Sequence, residues 1–113
     1  TRTALSYITQ KIHQNDLIDS VSLQQIDQKD VLVLKSSYSQ GKYTTYLYED
    51  KGYLKELFIS NQLEFDKDDG KKIIPVSHLK MQQINPYLYH FSCIVDHKEI
   101  QMLQSNQNKG GLK

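Results

Sequence analysis

Tyr43-Thr44-Thr45-Tyr46-Leu47-Tyr48-Glu49-Asp50-Lys51-Gly52-Tyr53-Leu54-Lys55-Glu56-Leu57 spells two β-rich runs on either side of one tight turn. Tyr, Thr and Leu at positions 43–48 suit a pleated, half-buried surface. Asp50-Lys51-Gly52 is the strongest hairpin signal in the chain, because Gly supplies the positive φ that a short loop needs to match the twist of its strands. Residues 43–49 are therefore expected to pair antiparallel with residues 53–60.

Working outward, the same alternation of short β-rich segments and turn signals extends in both directions. Upstream, residues 31–38 form a strand that ends at the turn Gln40-Gly41, and Val21-Ser22-Leu23 opens the series. Downstream, Asp66-Lys67-Asp68-Asp69-Gly70 turns the chain into residues 72–76, where Pro75 cannot donate to a ladder and so argues for an edge or a strand end. Residues 77–84 fit a strand or a short helical turn, since Leu79, Met81 and Ile84 match neither period, and strand is the favoured reading. Residues 87–95 are long and apolar, a candidate for a sheet centre, and Asp96-His97-Lys98 turns them into residues 99–103.

The first segment has a different period. Leu5, Ile8 and Ile12 recur at i, i+3 and i+7, with Arg2, Ser6, Gln10, Lys11, His13 and Gln14 on the other side, which predicts a helix over residues 2–14. Asn15-Asp16 is a natural end for it, since Asn tolerates the left-handed conformation that follows many helices. The expected fold is α+β: an N-terminal amphipathic helix packed on an antiparallel β-sheet of six or seven strands. Residues 1–104 form the single domain and residues 105–113, polar and Gly-containing, a flexible C-terminal tail. The helix stripe Leu5, Ile8 and Ile12 is expected to pack against Leu47, Leu57 or Ile59, Phe91 and Val95.

Composition narrows the function classes. The chain has 113 residues with 14 Lys/Arg against 13 Asp/Glu, spread evenly, so it offers no basic footprint for nucleic acid and none is expected as a partner. No apolar run exceeds Val31-Val33 and its neighbours Leu32 and Leu34, so nothing in these residues spans a bilayer as a helix. The single cysteine, Cys93, cannot form an internal disulfide.

The side-chain groupings that invite chemistry do not have its spacing. Taking Gly70 as the sixth position of an EF-hand loop puts Phe65 at the first and Lys67 at the third, so the acidic run reads as a solvated turn. His90, Cys93 and His97 lack a zinc pattern, and positions 90 and 93 of a strand face opposite ways. His13 and His78 read as surface residues and Cys93 as a buried structural thiol. There is no GxSxG, GxGxxG or GxxxxGK[ST]. No catalytic, metal or cofactor-binding residue is assigned, and no cofactor is expected.

Eight Tyr and no Trp remain, with Tyr46-Leu47-Tyr48 and Tyr87-Leu88-Tyr89 as an echo. In each triplet both rings share one strand face. Tyr rings stack on sugars or anchor protein interfaces, so Tyr46, Tyr48, Tyr87 and Tyr89 are the candidate binding surface, set against the reading of plain amphipathic strands.

The hairpin at residues 43–57 resembles that of bacterial minor pseudopilins of the type II secretion and competence systems. There a Tyr-rich strand, an Asp/Gly turn and a Leu-x-basic strand follow one another, with Arg more usual where Lys55 stands. The opening Thr1-Arg2-Thr3-Ala4-Leu5-Ser6-Tyr7-Ile8-Thr9-Gln10-Lys11-Ile12-His13-Gln14-Asn15-Asp16 is similar to the start of an uncharacterised bacterial family, a domain of unknown function whose members are pilin-like and carry one N-terminal membrane helix. The resemblance implies a pilin-like meander and a non-enzymatic, membrane-anchored bacterial subunit whose soluble domain lies outside the cytoplasm. Its implied partners are proteins, either pilin-like subunits or the assembly machinery. The chain starts without Met and inside a helical pattern that lacks a capping-box Glu. With the resemblance, that leads us to expect an apolar transmembrane helix directly upstream of Thr1, continuous with the helix at 2–14. The alternative is an extracellular carbohydrate- or peptide-binding module that uses the four tyrosines.

Overall fold

The computed structural model describes residues 3–14 and 17–105. One helix, α1 (Ala4–Gln14), precedes eight strands: β1 (Ile18–Ile26), β2 (Lys29–Tyr38), β3 (Gly41–Asp50), β4 (Tyr53–Ser60), β5 (Lys71–Pro75), β6 (Ser77–Asn85), β7 (Leu88–Val95) and β8 (Lys98–Ser105). The expected β3–β4 hairpin forms in register, from Tyr43 opposite Ser60 to Asp50 opposite Tyr53. Residues 77–84 are strand, and β7 is the centre of its sheet. Ser105 is the last residue of β8; residues 106–113 of the expected tail, like the expected helix end at Asn15-Asp16, lie outside the described residues.

The α+β expectation is corrected. The protein is mostly antiparallel β, in two sheets: a five-stranded meander β1-β2-β3-β4-β5 and a three-stranded meander β6-β7-β8, with one short helix. The division falls at Pro75. Proline has no N–H for a ladder, and the chain leaves the first sheet there, with the Val76 N–H making a final bond to the Gly52 carbonyl at 3.0 Å. Two residues later His78 sits at φ 56° inside an irregularity of the β6–β7 register, and the new direction starts the second sheet.

Three hairpins turn on two residues at positive φ: Asp27 and Gln28, Lys51 and Gly52, Asp96 and His97. This is the turn geometry whose twist matches that of the flanking strands. Only one of the three contains the glycine that makes such a turn visible in a sequence.

The main core lies between the two sheets and the helix. Leu5, Ile8 and Ile12 of α1 meet Leu32, Leu34, Leu47 and Leu54 of the large sheet and Met81, Tyr89, Phe91 and Cys93 of the small one. Burying each of the three helix residues is worth about 2 kcal/mol, so the helix is held by both sheets at once. Leu47 and Phe91 occupy the expected places. Leu57 and Ile59 do not: they face the other side of β4, in a second cluster with Val31, Val33, Tyr46, Tyr48 and Phe65. Val95, at the end of β7, is 40% exposed. The run Val31 to Leu34 is explained by the same two clusters, because β2 is buried on both faces and its residues alternate between them.

Polar bonds join the sheets where apolar contact ends. The Glu49 carboxylate accepts from the Leu79 N–H at 2.9 Å, and Asp30 accepts from the Met81 N–H at 3.1 Å. The Tyr89 hydroxyl donates to the Val21 carbonyl at 3.0 Å. On the helix, the Tyr7 hydroxyl donates to Glu56, and Lys11 Nζ pairs with the same carboxylate at 2.9 Å.

Candidate functional site

Beneath residues 61–70 the second face of the large sheet carries the most unusual polar group of the molecule. Asp50, Tyr48 and Lys55 share this face by strand alternation. Lys55 Nζ lies 2.7 Å from Asp50 Oδ2, both side chains being buried, and Lys29 Nζ reaches Asp50 Oδ1 at 3.2 Å from the half-exposed side. The Lys55 hydrogen bond, with help from Lys29, holds the Asp50 carboxyl down to about 2. The Tyr48 hydroxyl donates to the Lys67 carbonyl at 2.7 Å, and burial, with Asp50 nearby, pushes its pKa up to about 12. The segment over this group is itself built: Phe65 sits against the rings of Tyr46 and Tyr48, and Asp66 caps the 3₁₀ turn Lys67–Asp69 by accepting from the Asp68 N–H at 2.9 Å. Gly70 is required here by space, since a Cβ would lie on the Tyr48 hydroxyl. Asp50 is ionised and already bonded to two ammonium groups, so the arrangement is a structural ion pair under a strap.

The four candidate tyrosines do not share a surface. Tyr48 and Tyr89 are both 0% exposed, Tyr48 under the strap and Tyr89 in the main core, while Tyr46 is partly buried against Phe65 and Tyr87 is exposed in the β6–β7 turn. Tyr46 and Tyr48 do share a face of β3, but residues 61–70 close it, and Tyr87 stands in the turn before β7, off the strand that carries Tyr89. An aromatic group that reaches the surface through Phe58 lies elsewhere. Tyr43 and Phe58 stack with ring centroids 5.1 Å apart, and Tyr38 meets both edge-on. They continue the helix-side face of the large sheet past the helix, and Phe58, 49% exposed, walls a cleft with Lys11, Ile18, Leu34, Thr45 and Glu56. The sequence signal for this group is the hairpin register, which sets Thr45 opposite Phe58 and so Tyr43 beside Phe58.

A family described as a domain of unknown function, DUF4860, matches residues 1–97. The chain belongs to this family. No curated protein and no solved structure matches it. The matched region of this DUF4860 chain runs from α1 to the turn after β7, and so contains the strap, the ion pair and the aromatic group.

In the DUF4860 chain the other polar candidates are placed apart. His90 bonds Gln101 at 2.9 Å, Cys93 faces the core, and His97 occupies a turn; among the described residues no three His, Cys, Asp or Glu side chains converge as a metal site. Burial, with Glu49 nearby, pushes the Cys93 thiol up, which keeps it protonated. His13 is exposed but bonded, its ring 3.0 Å from the Gln104 amide. Among the described residues no helix is long and apolar enough to cross a membrane.

Proposed function

We propose that this DUF4860 domain is the head of a pilin-like or pseudopilin-like assembly subunit, non-enzymatic, anchored to the bacterial membrane through an upstream helix and acting outside the cytoplasm through protein contacts. The reading draws on the resemblance of the hairpin and of the opening residues. The observation that carries it is the seating of α1: Leu5, Ile8 and Ile12 are buried between both sheets, and Tyr7 and Lys11 are tied to Glu56. A displacement applied to the first turn of such a helix moves the whole head, which is what an anchored subunit needs. The Thr3 and Ser6 side chains cap that turn reciprocally, each accepting from the other's N–H at 3.1 Å. Thr3 and Ser6 thus form the cap for which the sequence shows no capping-box Glu, and a helix continuing upstream would have to exchange the Thr3 N–H bond for one to a carbonyl four residues earlier.

Fractionation of the product of the complete gene tests the reading. The expected result is a membrane-bound protein whose head is cut by protease added outside intact cells. A product found in the soluble cytoplasmic fraction would contradict it.

One observation favours the second reading, a binding module for carbohydrate or peptide: exposed Phe58, with half-buried Tyr38 and Tyr43 against it, beside its cleft. It needs no anchor. Titrating the purified domain with oligosaccharides and unfolded peptides, with amide shifts as the readout, distinguishes it, since specific saturable shifts at these three residues are its signature.

A further inference from the structure

We propose that the outer edge of β8 pairs antiparallel with the same strand of a second copy of the chain. Among the described residues the two open sheets have four edges, β1, β5, β6 and β8. An open edge presents a row of N–H and C=O groups that templates another strand, and proteins blunt such edges with short strands, Pro, bulges or covering groups. Three of these edges carry such devices. On β1 the Val21 carbonyl takes the Tyr89 hydroxyl. The strand β5 has five residues and ends in Pro75. The β6 register is broken twice, and its Leu79 and Met81 N–H groups go to Glu49 and Asp30.

The strand β8 is built differently. It has eight residues, no Pro, and an unbroken register with β7 from Leu88 opposite Ser105 to Val95 opposite Lys98. Its link to α1, the Gln104 amide on the His13 ring, is made by a side chain and not by its backbone. Leu103 is 62% exposed, and Ile100 and Met102 are only partly covered at this rim of the main core.

The charges of the strand suit a second copy of it in one orientation only. Lys98 and Glu99 are its only charged residues, and both stand at its N-terminal end. A two-fold antiparallel pairing centred between Gln101 and Leu103 sets them against the uncharged end of the other copy, whereas a parallel pairing would bring like charges side by side. The two-fold contact is self-complementary and closes, giving one six-stranded sheet across two copies. Since the family match ends at residue 97, before β8, this contact is independent of the function proposed for the matched region.

Sedimentation equilibrium of the purified chain from micromolar to millimolar concentration gives the test, repeated with the double variant Gln101→Lys/Leu103→Lys. We expect a concentration-dependent dimer that the double variant weakens at least tenfold while keeping the native circular dichroism. A native chain that stays monomeric throughout, or a dimer that persists unchanged in the folded variant, would overturn the proposal. If the variant does not fold, amide exchange of the native chain decides: protection of β8 that rises with concentration supports the contact, and protection independent of concentration, as when the chain covers its own edge, refutes it.

Discussion

Lys55 Nζ lies 2.7 Å from Asp50 Oδ2, a buried ion pair spanning the Lys51-Gly52 turn and closed from above by the Lys67 carbonyl, 3.4 Å from the same ammonium. Desolvating two charges is costly, so the pair stabilises the fold chiefly in the sense that neither partner can be left alone. Lys55→Met should therefore destabilise the domain by about 3 kcal/mol in denaturant unfolding. A variant as stable as the native chain would show that the pair is hydrated.

The same pair fixes the acid limb of stability. The Asp50 carboxyl is lowered from 3.8 to about 2 in the folded state, so its contribution is present in full above pH 4 and is lost as pH falls toward 2. The loss should amount to about 2 kcal/mol. Urea unfolding at pH 5, 4, 3 and 2 measures it, and the limb should shrink in Asp50→Asn.

Tyr48 governs the alkaline side. Its pKa is raised to about 12, so the stabilisation from its neutral, bonded hydroxyl is present below pH 10 and is lost as pH rises toward 12. In a 295 nm titration the ionisation near pH 12 should lose one tyrosine's amplitude in Tyr48→Phe. The variant should also lose about 1 kcal/mol, because the Lys67 carbonyl gives up its main donor.

Gly70 and Tyr48 should be coupled. A Cβ at Gly70 would overlap the Tyr48 hydroxyl, so Gly70→Ala should cost about 2 kcal/mol from crowding. With Tyr48→Phe in place part of that cost disappears, and the double variant should be more stable than the sum of the singles implies. Strict additivity would mean that the strap does not sit on Tyr48.

Gly52 stands at φ 84° with open space around it, so a substitution there is strained by its backbone alone. Gly52→Val should cost of order 1 to 3 kcal/mol, seen as a lower melting temperature. An unchanged melting temperature would mean that the turn adopts another conformation.

Much of the secondary structure was legible because it rests on local signals. The 3.6-residue stripe of Leu5, Ile8 and Ile12 gave α1, and Asp50-Lys51-Gly52 gave the β3–β4 hairpin. The turn at Asp27-Gln28 was not, since Gln28 stands where such a turn prefers Gly. The two-sheet architecture depended on Pro75 being a crossing point between sheets, and a proline at a strand end reads the same whether the next strand joins the old sheet or starts a new one. Burial of Tyr48 was hidden for a different reason. Alternation says which face a residue takes, but only residues 61–70 folding back over that face, with Phe65 as the wedge, make the face an interior.

Native-state amide exchange of α1 tests most directly the claim that the helix is an integral part of the head and so carries it. If Leu5, Ile8 and Ile12 are held by both sheets, the amides of Ile8 and Ile12 exchange only by global unfolding, with opening free energies within about 1 kcal/mol of those at Phe91 and Cys93 in β7. Opening free energies several kcal/mol lower in the helix than in β7 would contradict the account, because a helix that detaches while the sheets stay folded cannot transmit the position of an anchor to them.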